Sequence, residues 1–223
     1  TGGTWSSSNT AIATVTNAGL VTGVASGIVT LTFETSPGCS SARSFTVNPL
    51  AGQTTVTLDA VDDNFIGNGT NPDQTVLNYG DCTTLVVIDG SPQERALFRF
   101  NLSSIPSNAI INSATFTLIA PGHPDPTSVV MGVHRVTADW TEGTGGCGGT
   151  PGVSNWTQRT ASNNWTTPGG DFVATAEATT NVGPTAPANW TVTGLVQSWV
   201  NNTNPNHGVL VKFDNETLHH RKI

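Results

Sequence analysis

Trp140-Thr141-Glu142-Gly143, Gly145-Gly146-Cys147-Gly148-Gly149, Trp156 and Trp165-Thr166-Thr167-Pro168-Gly169-Gly170-Asp171 follow one another in the second half of the chain. Together they read as a loop rich in Trp, Gly and polar residues, set between strand-like segments. Tryptophan supplies either a large apolar surface for burial or a flat face on which a sugar ring stacks. Trp140 and Trp199 fall in apolar periodic segments and read as core. Trp156 and Trp165 sit among Asn, Thr and Gly, and both readings stay open for them: an exposed stacking face, or a plug that holds the loop against a sheet.

Outward from this loop the pattern is that of strands. The candidates are Thr55–Asp59, Thr83–Ile88, Arg95–Asn101, Ile110–Ala120, Val129–Thr137, Phe172–Ala178, Trp190–Thr193 and Gly208–Phe213. Many strands at irregular spacing with long loops predict a two-sheet jelly roll. One short helix is expected: Thr193 is placed to cap it, and Leu195, Val196, Trp199 and Val200 share an apolar face. Nearer the start, Ile12-Ala13-Thr14-Val15-Thr16 alternates, Asn17-Ala18-Gly19 turns the chain, and Ile28–Phe33 and Arg43–Val47 follow as further strands. The fold class predicted is all-β: a partial Ig-like sandwich over 1–49, a linker at 50–53, and a larger jelly roll with one helix over 54–223.

Only 10% of the 223 residues are charged, and the net charge is −7. Such a balance disfavours nucleic acid and anionic membranes as partners. No stretch reaches 18 consecutive apolar residues, which excludes a hydrophobic membrane-spanning helix and membrane insertion through one. The chain begins at Thr1 without a leader, as a mature or excised piece of something longer would. The Thr-rich, charge-poor composition is that of secreted β-proteins.

The cysteines are Cys39, Cys82 and Cys147. Cys147 lies in a glycine loop with no core of its own, and a bridge to Cys82 would tether it, contributing roughly 4 kcal/mol through chain entropy. Cys39 is then the odd one and looks for a partner elsewhere.

Two resemblances add to this reading. Trp5-Ser6-Ser7-Ser8-Asn9, Ile12-Ala13-Thr14-Val15, Gly19-Leu20-Val21-Thr22-Gly23-Val24 and Thr46-Val47-Asn48-Pro49 resemble the C-terminal part of a bacterial Ig-like group 2 domain. That likeness implies further strands before residue 1 and a partner for Cys39 near the domain start. From residue 54 onward the chain resembles the disaggregatase-related (DNRLRE) family of carbohydrate-binding jelly rolls. The match runs through Asn78-Tyr79-Gly80, Leu85-Val86-Val87, Arg95-Ala96-Leu97-Phe98-Arg99-Phe100, Ile111-Asn112-Ser113-Ala114, Trp140-Thr141-Glu142-Gly143, Trp165-Thr166-Thr167-Pro168-Gly169-Gly170-Asp171, Val196-Gln197-Ser198-Trp199 and His207-Gly208-Val209-Leu210. It implies a final strand beyond Ile223, so the jelly roll is expected to lack one here.

Catalytic signatures are absent: there is no metalloprotease, P-loop or dinucleotide motif and no nucleophile elbow. Glu142 and Asp171 are the one carboxylate pair suited to glycoside hydrolysis, and each also reads as a turn cap or ion-pair partner. Asp59, Asp62 and Asp63, followed by Asn64, are the best oxygen donor set, placed at a strand end and the next loop. They make a structural Ca²⁺ ion the cofactor to test. His219-His220 reads as a solvated tail. Arg95 and Arg99 share a strand face with Leu97, opposite Ala96, Phe98 and Phe100. They are read either as contacts for an acidic sugar or as partners of Glu142 and Asp171. The expectation is a non-catalytic, secreted or cell-surface module that binds polysaccharide through Trp156, Trp165, Arg95 and Arg99. The rival is a structural repeat of a fibre or stalk that pairs with copies of itself through strand exchange.

Overall fold

A computed structural model describes residues 2–35, 38–48, 53–119, 127–184 and 187–217, with the backbone of 221–222. His123, the His219-His220 pair and most of the 50–53 linker lie outside the described residues. The chain forms two units, Thr1–Val56 and Thr57–Ile223.

In the first unit, β1 (Gly3–Ser7), β4 (Gly27–Thr35) and β5 (Cys39–Val47) form an antiparallel sheet in the order β1-β4-β5. β2 (Ala13–Val15) and β3 (Val21–Gly23) form a hairpin. Gly19 turns it with φ +82°, a conformation only glycine adopts without strain. Alternation on β4 aims Val29 and Leu31 at a small core shared with Ala13. β5 is exposed along nearly its whole length, and the Cys39 thiol on it is free and exposed.

The second unit is a β-sandwich built on a seven-stranded antiparallel sheet. Its path is β15 (Ala178–Val182), β11 (Val129–Arg135), β17 (Val209–Phe213), β9 (Glu94–Phe100), β8 (Val87–Ile88) and β18 (Arg221–Lys222). β6 (Ala60–Gly67) also pairs with β9. Alternate residues of its central strands feed two cores. Ala96 and Phe98 of β9, Val209, Val211 and Phe213 of β17 and Met131 and Val133 of β11 face one side. There they meet a second layer made of β10 (Thr115–Leu118), β16 (Ala188–Thr191) and the helix α1 (Thr193–Val200). Leu97, Ile66 and Leu210 face the other side and are also fully buried. A strand buried on both faces is unusual in a sandwich; the cover on this outer side is the Trp-rich loop.

Several sequence-based boundaries move. The strand expected over Thr55–Asp59 lies at Ala60–Gly67, and the one expected over Phe172–Ala178 lies at Ala178–Val182. A register shift between Ala60 and Asp62 against β9 carries the acidic residues into the sheet rather than into a loop. The helix falls where its apolar period places it, but Thr193 does not cap it: Val192 precedes the first turn without a side-chain cap, and Thr193 Oγ1 accepts the Ala114 N–H at 3.0 Å.

Candidate functional site

The Trp loop is fixed from below by three buried asparagines. Asn78 donates from Nδ2 to the carbonyls of Glu142 and Ser154, and its Oδ1 accepts from the N–H groups of Gly80 and Gly145. Asn64 donates to the Ser154 carbonyl and accepts the Tyr79 N–H. Asn155 accepts the N–H groups of Thr157 and Gln158. Gly145 must be glycine here, because a Cβ would lie 1.9 Å from the Asn78 carbonyl oxygen. β7 (Leu77–Asn78) pairs with β12 (Thr150–Pro151), and β13 (Gln158–Thr160) pairs with β14 (Asn163–Asn164). The Cys82–Cys147 disulfide, with Cα atoms 4.4 Å apart, ties the glycine run to the end of β7's segment.

Trp140, Trp156 and Trp165 pack on Ile66, Leu97, Val136 and Leu210. Trp156 is 8% exposed and Trp165 4%, so neither presents a stacking face. Of the two readings of these rings, the structure has the plug. The reason is polar satisfaction: Trp165 Nε1 donates to the Asn155 carbonyl and Trp140 Nε1 to the His207 carbonyl, each at 2.9 Å.

Arg95 and Arg99 do share a face, which the Trp loop covers at Arg95 and leaves partly exposed at Arg99. Arg95 makes a bidentate pair with Glu216 (2.8 and 2.9 Å), donates to the Gly169 carbonyl, and lies 5.0 Å from the Trp156 ring centre. It is a structural strut, with 11% of its side chain exposed. Arg99 pairs with Asp62 and Asp139, at 2.7 Å each, and lies over Trp140. Neither arginine pairs with Glu142 or Asp171. Those two carboxylates are not brought together as an acid–base pair. Glu142 accepts the Asp63 N–H at 2.8 Å, and Asp171 accepts the N–H groups of Thr166 and Thr167. Burial, opposed by that Asp63 N–H and reinforced by Asp62, Asp63 and Asp81, pushes the Glu142 carboxyl above its ordinary range.

The expected calcium ligands do not fit a cation. Asp62 and Asp63 occupy successive strand positions, which send side chains to opposite faces. Asp62 is already neutralised by Arg99, and Asp59 is exposed ahead of the strand. Among the described residues no group of three or more His, Cys, Asp or Glu side chains is arranged to hold a metal.

What the sequence did not single out is a polar cluster centred on Asp139, a residue 62% exposed at its side chain. Its carboxylate meets Arg99 at 2.7 Å and lies 3.8 Å from His207 Nδ1, and its backbone carbonyl accepts from Arg159 at 2.7 Å. Burial lowers His207 below the usual imidazole range; Asp139 opposes this, while Arg99, Arg159 and Arg135 add to it. The cluster presents fixed guanidinium donors and one acceptor to solvent, a set suited to sugar hydroxyls or carboxylates. Its members are separated by 20 to 60 or more positions in sequence, so no local motif announces it.

Comparison with known families agrees with this architecture. Residues 2–37 match the bacterial Ig-like domain (group 2), and residues 54–220 match carbohydrate-binding module family 96. No curated protein matches the chain. No helix among the described residues is long and apolar enough to cross a membrane. With three quarters of its length covered by that model, and its sandwich in the matched region, the chain belongs to carbohydrate-binding module family 96, a family of non-catalytic modules.

Proposed function

We propose that the unit from Thr57 to Ile223 binds a polysaccharide non-covalently, without hydrolysing it, and thereby attaches a secreted or cell-surface protein to a glycan. The observation that carries this reading is the match of residues 54–220 to a carbohydrate-binding family. The surface that serves it best is the Asp139 cluster, where Arg99, Arg159 and His207 are held in place by their own contacts. Such preorganised side chains lose little freedom when a ligand docks. The commitment of Glu142 and Asp171 to backbone N–H groups supports binding without turnover. Affinity electrophoresis through gels containing neutral and acidic polysaccharides tests it. Retention is expected on at least one polymer, weakened at least three-fold by Arg159→Ala, whose side chain is partly exposed and meets the Asp139 carbonyl in a solvent-exposed hydrogen bond. Migration unaffected by every polymer would remove the binding reading. Release of sugar from any of them, lost in Glu142→Gln, would remove the non-catalytic one.

The fibre or stalk reading keeps one specific observation. β5 is a nine-residue strand at the margin of its sheet, exposed on both faces and without Lys or Pro to blunt it. Pairing of β5 with a second copy would give dimers or longer assemblies in sedimentation or electron microscopy; a monodisperse monomer at high concentration would argue against it.

A further inference from the structure

In the Asp139 cluster a permanent cation and a titratable one face the same oxygen. Asp139 Oδ1 lies 2.7 Å from Arg99 Nη1 and 3.8 Å from His207 Nδ1. The first contact is a charge-assisted hydrogen bond, and the second is about 1 Å too long to be one. The Asp139 side chain is 62% exposed, and among the described residues Arg99 is the only group hydrogen-bonded to its carboxylate. That carboxylate is therefore free to swing. Arg159 would not follow it, because Arg159 holds the Asp139 backbone carbonyl.

The two cations depend on Asp139 to different degrees. Arg99 has a second anchor: its Nε donates to Asp62 at 2.7 Å, and its guanidinium lies 5.2 Å from the Trp140 ring centre. It stays in place when Asp139 leaves. His207 is fixed through its backbone. Its carbonyl accepts the Trp140 indole N–H at 2.9 Å, and the Asn206 side chain accepts the Gly208 N–H at 3.1 Å. Gly208 has φ +85°, and a Cβ there would lie 2.0 Å from the Phe98 carbonyl oxygen, so the backbone after His207 is pressed onto β9. The closure of the 3.8 Å gap falls to the Asp139 side chain.

The charged groups that face the His207 imidazole are Asp139, Arg99, Arg159 and Arg135. Behind them Asp62 pairs with Arg99, and Glu177 with Arg135 at 3.7 Å. Burial, with the three guanidiniums, keeps the ring neutral below the ordinary imidazole range, and Asp139 alone favours its charged form. A neutral ring does not compete with Arg99 for Oδ1. As pH falls below the ordinary value of about 6.5, through the lowered folded value, an imidazolium appears beside that oxygen and does compete.

We propose that the Asp139 cluster is an acid-sensitive switch on the binding surface: protonated His207 draws the Asp139 carboxylate to itself and leaves Arg99 on Asp62, with its Nη1 donor open to a ligand oxygen. The surface then gains one positive charge and one guanidinium donor, so an acidic polysaccharide is held more tightly as pH falls. The inference rests on the polysaccharide-binding reading of the module.

Two measurements test it. In the ligand-free protein, NMR signals of the His207 ring and the Arg99 guanidinium are followed from pH 8 to 5. The Arg99 signals are expected to move with the His207 midpoint, and Asp139→Asn to lower that midpoint and remove the coupling. Affinity electrophoresis over the same range uses polygalacturonate, whose carboxyls stay ionised above a pH of about 4, and hydroxyethylcellulose as the neutral polymer. Retention of the native protein by polygalacturonate is expected to strengthen at least three-fold from pH 8 to 5. In His207→Gln the change is expected to stay below about 1.5-fold, whatever the retention of that variant at pH 8. The variant is needed because His134, Asp63 and Glu142, all shifted by burial, also gain protons and make the protein less negative. Equal strengthening in the native protein and the variant overturns the switch, as do Arg99 signals that do not follow His207. Retention that does not change with pH, or retention by hydroxyethylcellulose alone, overturns the switch and leaves the binding function standing. No retention by either polymer at any pH overturns both.

Discussion

Asn78 is the residue on which the Trp loop hangs. It is 1% exposed and satisfies two carbonyls and one N–H from a segment more than 60 residues away, and the N–H of nearby Gly80. Asn78→Ala would strand those groups in the interior, at about 1–3 kcal/mol for each left without water. A loss of at least 3 kcal/mol in urea unfolding is expected, and a change under 1 kcal/mol would refute the role. His134 sets a pH dependence. It is 3% exposed, its Nδ1 is 2.9 Å from the Val173 carbonyl, and its Nε2 is buried without a partner. Burial drives its pKa down; the Val173 carbonyl and Glu216 oppose, and Lys212 and Arg95 add to the lowering. The folded protein thus holds His134 neutral where the unfolded chain, with a pKa of about 6.5, binds a proton. Stability is full above that value and is lost as pH falls below it toward the folded pKa. His207 acts in the same direction. Asp63 and Glu142, whose carboxyls burial raises, act oppositely: they contribute stability at low pH that is lost as pH rises through their folded pKa values. The comparison that isolates His134 is a pH 8 to 5 series of melting temperatures for the native protein and His134→Asn, in which the variant should lose less on acidification. Parallel curves would exclude His134 as the source.

At the scale of elements, the central strands carry the unit because both faces of each are used. β9 sends Ala96 and Phe98 into the sandwich and Leu97 under the loop, with Arg95 and Arg99 tying the loop's margins to Glu216 and Asp139. The loop is therefore a third layer and not an appendage. Trp165→Ala should cost about 3–5 kcal/mol, the range for deleting a buried Trp from a packed core. An exposed loop tryptophan would cost less than 0.5 kcal/mol. Chemical denaturation distinguishes the two, and a value at the low end would mean the ring is not buried in solution.

For the whole molecule, the disulfide is the covalent constraint among the described residues. Cys82–Cys147 closes a loop with a sequence separation of 65 in the larger unit. Reduction should lower that unit's stability by roughly 4 kcal/mol on the chain-entropy account. Calorimetry with and without reductant, compared with Cys82→Ala/Cys147→Ala, checks this. An unchanged transition would show that the asparagine network alone holds the loop.

Composition and alternation by themselves determined the all-β class and the position of the helix, while the two-family order rests on the motifs that carry the two resemblances. The first two depend on local period, which each strand carries within a few residues. The bridge between Cys82 and Cys147 was legible for a similar reason: a glycine run without apolar residues brings no core of its own to anchor it. The fate of the tryptophans and arginines was not legible. Trp156 and Trp165 lie among polar neighbours in sequence, but those neighbours, Asn155 above all, turn inward to satisfy the loop and its indole. Arg95 finds Glu216 across 121 positions, and Arg99 finds Asp62 and Asp139 across 37 and 40. Sequence fixes the chemical type of each group, but which groups meet, and which face of a sheet is covered, follows only from long-range packing, where burial and pairing are decided together.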